Sequence, residues 1–178
     1  MKKYSIFIIA IFALGFLSNG YAQGLEAKKI AGKDGAAPKI SDLALFATVS
    51  AMEELKNESP KVYKDFSRHN KNVADLRIHK ENDYTFLYFI ADDIKTRSAY
   101  NKKGRWMHTI RYYAENKLPP AVRDIVKNSY QCFSISGVTE VNVQDKIAYL
   151  INIEDSKTWK TIKVVGDEME VTQSFNKQ

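Results

Sequence analysis

The sequence predicts an α+β fold: two tandem helix-plus-four-stranded antiparallel sheet units, with the helices on one face of the sheet. Three observations lead there. Some segments carry apolar residues at helical spacing and open on proline, whereas others alternate apolar and polar residues between turn residues. These segments run in the order helix, four strands, helix, four strands. The strands and turns of the second half also match those of the first when shifted by 62 residues, with Ile90 against Asn152 a mismatch, while the helices match at a shift of 60.

Taken in order, Lys2 and Lys3 precede an apolar run from Ile6 to Leu17, and Gly20 and Ala22 form a small-x-small site. That pattern predicts a secretory signal peptide over 1–22, cut between Ala22 and Gln23. The run is shorter than the roughly 20 residues that span a bilayer. No second long apolar run follows, so a soluble chain without a transmembrane segment, periplasmic or secreted, is expected. Residues 23–40 are rich in Gly, Ala and Lys without periodicity and read as a flexible leader.

The first unit is expected over 41–115. Ser41 can cap a helix from Asp42 to Lys56 with Leu45, Val49 and Met52 on one stripe, although its other faces also carry apolar residues. Ser59 and Pro60 start a second helix with Val62, Tyr63 and Phe66 inward. Strands follow over 73–80, 84–91, 94–100 and 105–114, and "YTFLYFIA" at 84–91 is apolar on both faces, as in a strand covered on both sides. The second unit is expected over 116–178. Pro119 and Pro120 open a helix bearing Val122, Ile125, Val126 and Tyr130, and strands follow over 133–142, 146–154, 158–165 and 168–176.

Composition limits the function classes. At 44% hydrophobic and 12% aromatic residues the chain can bury a core. Its formal charge of +6 falls to +4 once Lys2 and Lys3 leave with the signal, a mild excess that, with export, argues against nucleic acid as partner. Cys132 is the only cysteine, so no disulfide staples the fold within the chain, and its place beside Phe133 suggests a buried, inert thiol. His69, His79 and His108 share no metal-ligand spacing, and no phosphate-cradling glycine motif or nucleophile elbow occurs. Hence no catalytic, cofactor-binding or metal-binding residue is assigned, no cofactor is expected, and the chain does not read as an enzyme. The acid pairs Asp92-Asp93, Glu154-Asp155 and Asp167-Glu168 fall at strand turns, where solvated turn chemistry is the default.

The repeat singles out one stretch. "DIKTRSAYNKKGRWMHTIRYY", residues 93–113, holds six Lys and Arg and four aromatics. The shift of 62 sets Tyr88 on Leu150, Phe89 on Ile151, Gly104 on Gly166, Met107 on Met169 and Tyr113 on Phe175. Being even, it preserves the face of each strand residue. Met169, Val171 and Phe175 then form an inward set against Glu168, Glu170, Thr172 and Ser174. In the first copy the corresponding outer face reads Trp106, His108, Ile110 and Tyr112. Two readings stand: these side chains pack against other parts of the protein, or they form an exposed aromatic patch flanked by Arg97 and Arg105.

With those residues in view, "DIKTRSAYNKKGRWMHTIRYYAENKLPPAVRDIVKNSY" and "SGVTEVNVQDKIAYLINIEDSKTWKTIKVVGDEMEV" resemble the PepSY-like, or beta-lactamase-inhibitor-like, small exported proteins of Bacteroidota. The resemblance covers about residues 60–176. It implies joined sheets presenting one curved face to a protein partner while helices cover the other. The typical inhibitor has paired cysteines, which this chain lacks, and no inhibitor contact residue maps onto it. The expected function is therefore an exported, non-catalytic protein-binding module using Trp106, His108, Ile110, Tyr112, Arg97 and Arg105, and possible restraint of an envelope enzyme is part of that expectation. The alternatives are a small-ligand carrier or enzyme with a pocket between sheet and helices, and a self-associating envelope protein.

Overall fold

The computed structural model describes residues 40–144 and 146–178, all within the unit Pro38–Gln178. The expected signal peptide and the leader up to residue 39 lie outside the described residues. Helices α1 (Ile40–Glu58) and α2 (Pro60–His69) precede strands β1 (Val73–Glu81), β2 (Tyr84–Ala91), β3 (Ile94–Asn101) and β4 (Trp106–Tyr113). A 3-10 turn (Glu115–Lys117) and helix α3 (Pro120–Ser129) lead to β5 (Ser134–Val143), β6 (Lys146–Glu154), β7 (Thr158–Val165) and β8 (Glu168–Asn176). The eight strands form one antiparallel sheet in chain order, so the two expected sheets merge through the β4–β5 pair.

Turn chemistry explains the hairpins. Asp92 and Asp93 both take positive φ, 52° and 63°, as a two-residue hairpin turn matched to strand twist requires. At the β6–β7 turn, Asp155 Oδ1 accepts the backbone N–H groups of Lys157 and Thr158 at 2.8 and 2.6 Å. These bonds favour the ionised carboxylate and hold Asp155 below the usual carboxylate range. Two of the three acid pairs thus shape turns.

All three helices pack on one face. Leu55 of α1 and Val62 and Phe66 of α2 meet Leu76, Leu87, Phe89 and Tyr100, with the Phe66 and Phe89 rings edge to face at 4.9 Å. Val122 and Val126 of α3 meet Val138, Ile151, Ile153, Ile162 and Val164 in a second cluster. The inward residues of α2 and α3 are those their spacing predicts. α1 differs: Thr48, Ala51, Met52 and Leu55 face the sheet, while Leu45, Phe46 and Val49 are exposed. A helix apolar on several sides does not reveal by periodicity which side is buried. Cys132, expected buried, is exposed in the turn between α3 and β5, because the chain leaves the core before Phe133 re-enters it.

Between the two clusters the helix face of β4 is polar. Arg111 donates to Glu140 Oε1 at 2.8 Å and the Tyr113 hydroxyl donates to Oε2 at 2.7 Å, tying β4 to β5 across their shared ladder. Burial and this bond push the Tyr113 phenol well above its ordinary pKa. Glu140→Ala leaves the half-buried Tyr113 hydroxyl without its acceptor and should cost about 1–3 kcal/mol, read as a lower denaturation midpoint. An unchanged midpoint would deny the bridge a structural role.

Gly104 and Gly166 both take positive φ, 72° and 59°, at the last hairpin turn of each set of four strands. A Cβ on Gly104 would lie 2.8 Å from Lys61 Cβ, whereas one on Gly166 meets nothing within 4 Å. Gly166→Ala should therefore cost only the left-handed backbone term, about 1–2 kcal/mol. Gly104→Ala should cost more because α2 must also move. Equal losses in chemical denaturation would contradict the close approach.

Candidate functional site: the open face of the sheet

Strand register decides which side chains share the face opposite the helices. Tyr88 pairs with Arg97, Arg97 with Ile110, Ile110 with Val141, and Val141 with Ala148. Directly paired residues point the same way, and every second residue along a strand joins them. Phe86, Tyr88 and Ile90 of β2, Arg97 and Ala99 of β3, and His108, Ile110 and Tyr112 of β4 thus lie on one face. Val141, Val143 and Leu150 continue it across β5 and β6. Among the described residues no helix belongs to the apolar clusters on this side.

This is where the expectation for β2 changes. Among the described residues the strand is covered by α2 on one face only; Phe86, Tyr88 and Ile90 look out on the other, half-buried. Neighbouring side chains shield them in place of a second layer. The Arg97 guanidinium lies 4.5 Å from the Phe86 ring centroid and 5.4 Å from that of Tyr88, and His79 stacks on Phe86 at 6.3 Å. The floor is closely packed: Ala99 is 0% exposed, Ile110 6% and Val141 8%, whereas Tyr112 at the rim is 42% exposed.

Register also corrects the expected set of four. Ala99 pairs with His108, but Tyr100 pairs with Trp106, so Met107 is an extra residue in β4. Such a bulge reverses the alternation beyond it. Trp106 therefore lies on the helix face with Tyr100, packed against the α1–α2 core, and its indole N–H donates to Thr109 Oγ1 at 2.9 Å. His108, Ile110 and Tyr112 stay together on the open face with Arg97. Arg105 sits apart, exposed in the β3–β4 turn beside Lys102 and Lys103, where a shallow hollow of about 260 Å³ lies.

A second bulge sits at the matching place. The register shift falls between Ala99 and Tyr100 in β3 and between Thr161 and Ile162 in β7, 62 residues apart. In β8 the extra residue is Thr172, so Met169 and Val171 face the helices while Phe175 joins Trp159 on the open face. The expected inward role of Phe175 is thus reversed. Trp159 and Phe175, 49% and 59% exposed, form a second aromatic patch, with Lys177 Nζ 5.0 Å above the Trp159 ring. Lys177 and the Trp159 indole N–H, both 2.7 Å from Glu154 Oε2, hold that carboxyl below its usual range. Strand pairing sets this arrangement and the sequence hides it, because a bulged strand and a regular one share the same alternating letters.

A wide-open hollow of about 540 Å³ lies elsewhere, against the 3-10 turn and the start of α3, lined by Glu115, Leu118 and Arg123. Among the described residues no group of His, Cys, Asp and Glu is arranged to hold a metal ion, and no helix is long and apolar enough to cross a membrane. Burial, and then the Arg97 cation beside it, hold the His108 imidazole below its ordinary range, so it is neutral near pH 7. Arg97→Gln removes the second cause and leaves the first. The His108 pKa should rise without reaching the ordinary histidine value, followed by NMR titration of its ring protons. An unmoved titration would mean that the two groups do not face each other.

No protein-family model matches the chain, and no match was found among curated proteins. Solved structures do resemble it. A BLIP-like protein from Bacteroides fragilis superposes with a TM-score of 0.50 at 15% identity, over 66% of this chain and 85% of its own. A DUF2874 family protein from Bacteroides ovatus gives 0.51 at 14% identity, over 66% and 86%. A Bacteroides eggerthii protein described as a candidate periplasmic protein gives 0.50 at 15% identity, over 65% and 86%. Identity this low speaks for the fold alone: the chain has the α+β, BLIP-like fold of these Bacteroides proteins.

Proposed function

We propose that this protein is an exported, non-catalytic binding module that captures a protein partner on the open face of its sheet, and that residues 41–115 and 116–178 are two related units sharing that face. One observation carries the reading: helices cover one side of the sheet, while the other displays Phe86, Tyr88, Ile110 and Tyr112 around an arginine. Aromatic residues and arginine dominate the energetics of protein interfaces. Export is supported by the signal-peptide pattern over 1–22 and by the periplasmic description of a fold neighbour. A shared fold does not carry function with it, so restraint of an envelope enzyme is the narrower form of the reading, supported by the BLIP-like likeness.

The test is affinity capture from envelope extract with the chain from Gln23 onward, comparing wild type with Tyr88→Ala/Tyr112→Ala. Both substitutions lie on the open face and leave the helix-side clusters intact. The expected result is a protein held by wild type and lost, by at least tenfold in recovery, from a double variant with an unchanged thermal midpoint. A partner retained equally by the variant would sink the reading. Light scattering at two concentrations separates capture of another protein from self-association.

A further inference from the structure

Arg97 lies on the open face, in β3, with a hydrogen-bonding capacity that the described residues do not use. Its Nε is buried and has no acceptor. Among the described residues, Arg77, Arg111 and Arg123 each pair with a carboxylate at 2.7 to 3.0 Å, whereas none lies within ion-pairing distance of Arg97. The guanidinium lies within cation–π distance of the Phe86 and Tyr88 rings. Those contacts supply no carboxylate, the group that binds guanidinium N–H donors in a two-pronged fork.

The surrounding charge points the same way. Lys95 pairs with Tyr112 and Lys146 with Val143, placing both cations on this face. Of the carboxylates that share it, Glu81 lies 3.7 Å from His79, Glu170 is bridged to Lys163 and Glu154 to Lys177, while Glu168, unpaired among the described residues, stands at the end of the far edge strand β8. A partner arriving there meets a half-buried cation, unpaired among the described residues, that offers its terminal N–H groups, since Nε is covered, above an apolar floor. A neutral surface would bury that charge without compensation, which disfavours binding, while an acidic one satisfies it.

We propose that the partner presents an Asp or Glu carboxylate, flanked by apolar residues, that seats on Arg97 while its neighbours pack on Phe86, Ile110 and Tyr112. This rests on the open face being the protein-docking surface. Arg97 is then a specificity determinant: it admits acidic loops and rejects isosteric amides.

The test uses phage-displayed random 12-residue peptides selected on the folded protein, followed by titration calorimetry of a synthetic winner and its Glu→Gln or Asp→Asn counterpart. Expected are winners rich in acid-plus-apolar sequences, bound roughly thirtyfold or more weakly as the amide form. On Arg97→Gln the acidic peptide should bind as weakly as the amide, and the amide should lose nothing further, the signature of a direct pair. Arg97→Lys, which keeps the charge without the fork, should recover part of the affinity. If winners lose binding on Tyr88→Ala/Tyr112→Ala yet carry no acid, or bind Arg97→Gln as well as wild type, the carboxylate idea is overturned and the docking face stands. If no winner depends on Tyr88 and Tyr112, both readings fall.

Discussion

The rest of the structure depends on the pairing of β4 with β5. Six residue pairs, from His108↔Val143 to Tyr113↔Val138, join two four-stranded sets that would otherwise each end in a bare edge. An exposed edge offers unpaired backbone groups to any passing strand, so closing this pair removes two such edges at the middle of the molecule. Side chains reinforce it from the helix side, where Glu140 receives Arg111 and Tyr113. Because the bridge is polar, it occupies the gap between two separate apolar clusters without merging them. The open face exists as one surface only because this seam is continuous.

The two faces solve the burial problem differently. On the helix side, Val, Ile, Leu and Phe are removed from water by helices laid over them, at about 25 cal/mol for each Å² of apolar surface. On the open side, the side chains shield one another. Aromatic rings lie along β2, an arginine spreads across them from β3, and small or branched residues fill β4 and β5. Cross-strand pairs of this kind stabilise a sheet without a second layer. The result is an apolar and aromatic face with a closely packed floor and an exposed Tyr112. A binding reading needs only such a surface and a partner complementary to it, whereas a catalytic one needs convergent polar groups in a water-excluding cleft.

Much of this was legible beforehand. Eight strands and three helices follow from alternation, proline placement and turn residues, since each of those is a local steric or hydrogen-bonding requirement. The inward residues of α2 and α3 and the turn role of Asp92-Asp93 were legible for the same reason. The resemblance to beta-lactamase-inhibitor-like proteins also pointed to the right fold. Of the candidate patch, His108, Ile110, Tyr112 and Arg97 are brought together by the sheet, whereas Trp106 and Arg105 are not. Tyr88 and Phe86 were missed as members of the face because an all-apolar strand looks the same whether one side or both are covered.

Local rules and long-range pairing divide the outcome between them. The sequence by itself determined which elements occur and in what order, and placed strand ends and the α1 bounds to within two residues, because caps, prolines, glycines and periodicity act within a few residues. Only the tertiary structure decided which side of each strand faces the helices, since one extra residue at Met107 or Thr172 inverts everything beyond it. A bulge is a property of two strands in register, and alternation within one strand carries no trace of it. The same holds for α1, whose buried side is chosen by what β1 offers it. Arg97 is the clearest case: as a letter it is one of many basic residues, and its unanswered N–H becomes visible only when strands far apart in the chain close around it.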